Sequence, residues 1–347
     1  MKFSKSIKIG NYTISKDSPT FIIAEAGVNH GGDIKLAKKL IDLACKSGAN
    51  AVKFQTFKAE HLILENVEKA PYQKKTTKLG ESQYEMLKKL EVSKEQNIEL
   101  VRYCKSKNII FLTTPFDEVS LDEIDKLNLL AYKVASTDLT NLPFLEKLAK
   151  KGKPIFLSTG MSYLSEIELA LQTINKFNDE VVLLQCTANY PINNNEANLN
   201  VLNTFKKFKI LLGYSDHTVG LGAAPFAIPI GAKVVEKHFT LNKDDDGPDH
   251  KASLSPEELI EFVKVVKKVD QFLGSHIKTP NLSETKTRKS LQKCLVANKP
   301  ILVGEVFSND NIIAKRTGGK GINPIYFDEI IGEISTYNYK KNDIINE

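Results

Sequence analysis

No apolar run in these 347 residues approaches the length of a membrane span, and residues 1–20, polar and lysine-bearing, hold no apolar core of signal-peptide size. The expectation is a soluble, cytoplasmic protein with no membrane partner. A basic block is missing too: 48 Lys+Arg against 42 Asp+Glu give a formal charge of +6 that is spread along the chain. That argues against nucleic acid and leaves room for an anionic small substrate. The four cysteines, Cys45, Cys104, Cys186 and Cys294, have neither CxxC nor metal-finger spacing, so reduced thiols are expected and none is a strong catalytic candidate. No GxGxxG follows the first apolar run, which disfavours an open dinucleotide-binding sheet.

What is present is an alternation. Eight short apolar runs read as buried strands: FIIAEAG (21–27), ANAVKFQTF (49–57), IIFLTTPF (109–116), LAYKVAS (130–136), KPIFLSTG (153–160), VVLLQCT (181–187), ILLGYSD (210–216) and AKVVEKHFT (232–240). Helical patterns lie between most of them, at 34–47, 143–151, 164–176 and 199–208, with longer ones at 82–107 and 256–273. Eight strand and helix units predict an α/β fold, a (β/α)8 TIM barrel. Residues 58–77 interrupt the pattern on the rim where barrel enzymes carry their sites, which makes them a candidate substrate-covering loop or a solvated insertion. Past residue 274 the chain turns loose and polar, then gives short alternating runs punctuated by glycines, the mark of a small β-rich domain. The expected division is a barrel at 1–274, a linker at 275–286 and a second domain at 287–347.

Nearly every strand ends in a reactive side chain. In chain order these are Glu25, Lys53 with Gln55, Thr114, Lys133 with Ser136 and Asp138, Ser158, Tyr190, Ser215 with Asp216 and His217, and Lys237 with His238. GYSDHT (213–218) and VVEKHFT (234–240) each run apolar to polar and end at a histidine, so consecutive parallel strands would bring both imidazoles to one rim to share a divalent metal. Lys53 and Lys133 sit within apolar strands and need anionic partners. Those partners are either a phosphate or carboxylate substrate, cradled also by the hydroxyls of Thr114, Ser136, Ser158 and Ser215, or the chain's own Glu25 and Glu236.

FIIAEAGVNHGGD (21–33), AVKFQTFKAE (51–60), ESQYEMLKKLE (81–91), TTPFD (113–117), STGM (158–161), YSDHT (214–218), EKHFTL (236–241) and GPDHKASL (247–254) together closely resemble the sialic acid synthase family. The resemblance covers almost the whole chain. It implies condensation of phosphoenolpyruvate with an N-acetylated mannosamine-type sugar to a nonulosonic acid. It also implies a tail that is an antifreeze-like (SAF) domain, with Arg316 offered to a partner subunit's site in a domain-swapped homodimer. By the same resemblance Lys53, Thr114, Lys133, Ser136, Ser158 and Ser215 hold phosphoenolpyruvate, His217 and His238 hold Mn2+ (Mg2+ or Co2+ as alternatives), and Glu25, Gln55, Tyr190, Asp249 and Arg316 serve the sugar. Lys53, Lys133, Glu25 and Asp138 are the expected catalytic set. Ser136-Thr137-Asp138 departs from the Ser-Gly-Glu common in that family.

N-acetylneuraminate synthase is the first reading of the resemblance. N,N'-diacetyllegionaminate synthase, using 2,4-diacetamido-2,4,6-trideoxymannose, is the alternative, and pseudaminate synthase ranks below both. A noncatalytic sugar-binding protein is the alternative from another class, and it leaves the lysines and rim histidines without work.

Overall fold

The computed structural model describes residues 1–77 and 80–346. Among them the chain forms two compact units, Met1–Gly274 and Ser275–Glu347.

The first unit opens with a hairpin of β1 (Ser6–Ile9) and β2 (Tyr12–Ser15). Eight parallel strands follow: β3 (Phe21–Gly27), β4 (Ala51–Thr56), β5 (Ile110–Pro115), β6 (Tyr132–Val134), β7 (Ile155–Ser158), β8 (Val181–Gln185), β9 (Leu211–Asp216) and β10 (Ala232–His238). They pair in the order β5-β4-β3-β10-β9-β8-β7-β6. The terminal strands β5 and β6 lie side by side, so the sheet curls into a nearly closed barrel, the α/β architecture the alternation predicts.

Side-chain period two stacks the interior in layers. Phe21 and Ile23 of β3, Ala51 of β4, Leu112 of β5, Phe156 of β7, Val182 and Leu184 of β8, Leu211 of β9 and Val234 of β10 form an apolar core at the amino-terminal side. Ile7, Ile9 and Ile14 of the hairpin join it, so a segment with no clear sequence signal is the plug that keeps water out of the barrel floor. Burying three such side chains contributes about 5–9 kcal/mol before entropy. Gly213 keeps the interior closed near Val234: a Cβ there would lie 2.8 Å from the Val234 carbonyl.

Helices over Ile34–Ser47 and Pro256–Leu273 form where the periodicity places them. The pattern at 82–107 resolves into two helices, Gln83–Leu90 and Lys94–Ser106. Ser93 caps the second by accepting from the Gln96 amide, so the chain must break there. The rim insertion carries short helices at Ala59–Leu62 and Pro71–Thr76. No helix among the described residues is long and apolar enough to cross a membrane.

In the second unit a helix, Glu284–Leu291, starts inside the stretch expected as linker. β11 (Lys293–Ala297) and β12 (Ile312–Arg316) pair antiparallel, with isolated bridges such as Val306 to Ile334 around them. Leu295, Ala297, Ile301, Phe307, Ile312 and Ile345 make its own small core.

Candidate active site

One step beyond the apolar layer, the same inward-facing positions turn polar. Ile23 is followed by Glu25, Ala51 by Lys53, Leu112 by Thr114, Phe156 by Ser158, Gly213 by Ser215, and Val234 by Glu236 and then His238. All of these polar residues line a single cavity of about 510 Å³, joined by Gln55, Lys133, Ser136, Tyr190, His217 and Asp249. It opens at the carboxyl ends of the strands, where a barrel presents its variable loops.

Two buried cations organise its floor. Lys53 Nζ lies 2.8 Å from Glu25 Oε1 and donates to Thr114 Oγ1 at 2.9 Å. Lys133 Nζ donates to Ser158 Oγ at 2.6 Å and to its neighbour's carbonyl on Val134 at 3.0 Å. Glu236 bridges them, 3.9 Å from Lys53 and 3.8 Å from Lys133, while accepting from Ser215 Oγ at 3.0 Å. The pairing of these lysines with Glu25 and Glu236 and their exposure to the cavity therefore coexist. Two of the four carboxylate oxygens, Glu25 Oε2 and Glu236 Oε2, are buried without a hydrogen-bond partner among the described residues.

Burial pushes the Glu25 carboxyl up to about 7, against the pull of Lys53. Burial works the same way on Glu236, but Lys133 and Lys53 overcome it and hold that carboxyl below its ordinary range. Lys133 is lowered by burial. Asp249, also lifted by burial, reaches about 6. The site thus mixes fixed charge with carboxyls poised to carry a proton near neutrality.

The two imidazoles meet at the rim, ring centroids 5.7 Å apart. His217 Nδ1 donates to the Thr187 carbonyl at 2.6 Å, which leaves its Nε2 with a free lone pair. His238 Nδ1 is buried without a hydrogen-bond partner, 3.9 Å from Asp249 Oδ2. Burial holds His217 down at about 4 and His238 well below its ordinary value, so both rings are neutral. Two neutral imidazoles, one with a buried, unpartnered nitrogen near a carboxylate, fit a divalent cation. Among the described residues no group of three or more His, Cys, Asp or Glu side chains forms a ready metal cage, so an ion here would rest mainly on two imidazoles and keep positions open for water or substrate.

Above the imidazoles Tyr190 packs 4.2 Å from the His217 ring and 5.0 Å from Tyr72 of the rim insertion. The insertion and its surroundings add an apolar wall that includes Val28, Leu62, Ile63, Met86, Leu87 and Leu90.

This barrel, with its buried lysines and paired imidazoles, has relatives. Residues 40–278 match the model of the NeuB family. The chain belongs to the NeuB family. It is 47% identical to the N,N'-diacetyllegionaminic acid synthase of Campylobacter jejuni, covering 94% of this chain and 99% of that protein. It is 36% identical to the human N-acetylneuraminate-9-phosphate synthase, covering 95% and 92%. The crystal structure of N-acetylneuraminic acid (sialic acid) synthetase from Leptospira borgpetersenii, in complex with citrate, superposes with a TM-score of 0.75 at 35% identity, covering 84% of this chain and 98% of that one. The chain is an enzyme, a nonulosonic acid synthase.

For this NeuB family member, twelve of the fourteen residues singled out from sequence meet in the one cavity. Asp138 does not line it: it is buried in the 3-10 turn Ser136–Asp138, with weak contacts of 3.4 Å to Thr137 and Asn141. The wall in its place belongs to Ser136 and Thr137. Arg316 lies exposed at the end of β12 in the second unit. Sequence reasoning named Glu236 only as a pairing partner, yet it faces the cavity. The signal was its position two residues before His238 on one strand, the same face by period two. Tyr72 and Gln73, inside the interruption at 58–77 read as a candidate substrate-covering loop, and Gln83 also line the cavity, though sequence reasoning singled out none of them as a site residue.

Proposed function

We propose that the chain condenses phosphoenolpyruvate with 2,4-diacetamido-2,4,6-trideoxymannose and water, giving N,N'-diacetyllegionaminate and phosphate. The observation that carries this choice of sugar is the apolar wall at the cavity rim: Leu62, Ile63, Met86, Leu87 and Leu90 suit a C6 methyl and acetamido methyl groups better than free hydroxyls. The 47% identity to a legionaminic acid synthase supports it. The N-acetylneuraminate reaction, from N-acetylmannosamine, is the second reading, favoured by the polar side chains Gln55, Gln83 and Asn189 in the same cavity.

In this reading Lys53 and Lys133 take the carboxylate and phosphate of phosphoenolpyruvate, and Thr114, Ser136, Ser158 and Ser215 complete the cradle with hydroxyls. A divalent ion, Mn2+ in this proposal, held by His217 and His238, would supply Lewis-acid polarisation of the sugar aldehyde. The enol carbon of phosphoenolpyruvate attacks that aldehyde carbon, so the new carbon–carbon bond leaves positive charge at the phosphate-bearing carbon. Glu25 and Glu236 face that centre with buried, unpaired oxygens and stabilise the charge. Asp249 and Glu25, lifted to about 6 and about 7, carry protons to the new hydroxyl and from the incoming water. Phosphate then leaves with cleavage of its bond to carbon. Tyr190 and Gln55 orient the sugar.

The second unit is read as an antifreeze-like domain over 287–347 that brings Arg316 to the cavity of a partner in a domain-swapped homodimer. Its exposed Leu302, Val303, Ile325 and Ile334 are the apolar surface such an exchange would cover. In this reading the enzyme works in the cytoplasm.

The test offers phosphoenolpyruvate with each sugar in turn and follows phosphate release and product mass. The diacetamido sugar should give the higher kcat/KM. Preference for N-acetylmannosamine would move the assignment to the neuraminate branch, and release with neither sugar would overturn the synthase reading.

A further inference from the structure

Each metal-candidate histidine is preceded by a charged residue that turns away from the cavity. Asp216 and Lys237 are opposite one another in the β9 and β10 register, and the side chains of both are completely buried. Lys237 Nζ lies 3.1 Å from Asp216 Oδ2 and donates to the Thr218 carbonyl at 2.5 Å. The carboxylate is saturated: Oδ1 accepts from the Thr218 amide at 2.9 Å and hydroxyl at 2.6 Å, and Oδ2 from the amides of Ala223 at 2.9 Å and Ala224 at 3.0 Å. Gly222, at φ +64, packs so tightly on this knot that a Cβ would sit 2.5 Å from Asp216 Oδ2 and 2.7 Å from Lys237 Nζ.

Taking both charges out of water costs more than such a pair typically returns, and its best-attested use is to fix register. Here the register concerned is that of the two strands that end in His217 and His238. The knot also fastens the turn that follows His217, whose carbonyl accepts from the Ile192 amide at 3.0 Å on the neighbouring loop.

We propose that Asp216 and Lys237 are positioning residues that set the separation of the two imidazoles and thereby the affinity for a divalent cation. The proposal rests on the reading of those imidazoles as metal ligands. Neither side chain touches the cavity, so phosphoenolpyruvate binding is not their task.

The test titrates the metal-free full chain with Mn2+ alone, reading free Mn2+ by electron paramagnetic resonance, beside calorimetric binding of phosphoenolpyruvate without metal. The double variant Asp216→Asn with Lys237→Met, neutral and of similar volume, should bind Mn2+ about 10–100-fold more weakly, with phosphoenolpyruvate affinity unchanged. Thr218→Val, which keeps the ion pair but removes the hydroxyl that donates to Asp216 Oδ1 and accepts from Lys237 Nζ and the Ala223 amide, should shift Mn2+ affinity the same way by less, and it carries the test if the double variant does not fold. Unchanged Mn2+ affinity in a folded variant, or equal weakening of both ligands, would overturn the proposal. His238→Ala separates the two ideas: if it leaves Mn2+ binding intact, the metal reading fails on its own account.

Discussion

The His217 imidazole donates from Nδ1 to the Thr187 carbonyl, whereas His238 Nδ1, across a ring separation of 5.7 Å, has no hydrogen-bond partner among the described residues. One ring is oriented by its backbone acceptor, and the other has a buried ring nitrogen with no hydrogen-bond partner among the described residues. An unpaired buried nitrogen costs about 1–3 kcal/mol, which a bound cation would recover.

His238→Ala should therefore abolish turnover, by about a hundredfold or more given the several kcal/mol a Lewis acid contributes. Its thermal melt should stay near that of the parent, because the truncation relieves an unsatisfied nitrogen. Excess chelator should stop phosphate release by the parent chain, and full turnover in chelator would refute the metal role.

Lys133→Met removes a cation that no carboxylate approaches closely, Glu236 being 3.8 Å away. The resident partner is thus easily exchanged for a substrate anion. Loss of a charge-assisted contact of about 2–3 kcal/mol predicts a rise of about 30–150-fold in KM for phosphoenolpyruvate, with the sugar KM much less affected. Equal effects on both substrates would move Lys133 out of the anion cradle.

His30 should contribute to the acid sensitivity of the fold. Its Nδ1 accepts from the Gly32 amide at 2.9 Å, and burial holds the ring down at about 4. Because the folded value lies below the unfolded one, its contribution is complete above pH 6.5 and is lost as pH falls through about 4, with a total of roughly 3 kcal/mol. The stability difference between parent and His30→Asn in urea should shrink between pH 7 and pH 4. A difference independent of pH would show that the ring is not buried neutral.

Asp138 behaves in the opposite sense. Burial lifts its carboxyl to about 6, with only weak contacts to Asn141 and Thr137 opposing. Its stability contribution is complete below pH 3.8 and is lost as pH rises through about 6, at a cost of roughly 3 kcal/mol in alkaline solution. Asp138→Asn should melt higher than the parent at pH 8, converge with it near pH 4 and keep its turnover. A large loss of kcat would support the catalytic role expected of Asp138.

Local chemistry explains which parts of this were legible beforehand. Strands such as FIIAEAG and VVEKHFT announce themselves because a strand buried on both faces must be apolar almost throughout. A lysine amid such residues, Lys53 or Lys133, then stands out as a charge in need of an anion. The hairpin at Ser6–Ser15 did not announce itself, because its isoleucines alternate with polar residues and look like surface until the barrel floor supplies the other half of their core. Whether Asp138 reaches the cavity was not legible for a related reason: adjacency to Ser136 in sequence does not say which residues of a 3-10 turn line it.

The chain alone determined the barrel, since period-two and period-3.6 apolar patterns are local requirements for burying strands and helices, and it determined which strand ends bear cations, hydroxyls and imidazoles. Tertiary structure decided what those groups do together. Glu236 as the bridge between two lysines, the packing of Tyr72 on Tyr190 and of Tyr190 on His217, and the Asp216 to Lys237 knot behind the histidines all join residues from different strands and loops. Distance, burial and lone-pair satisfaction are properties of such pairs in space, and a linear pattern does not encode them.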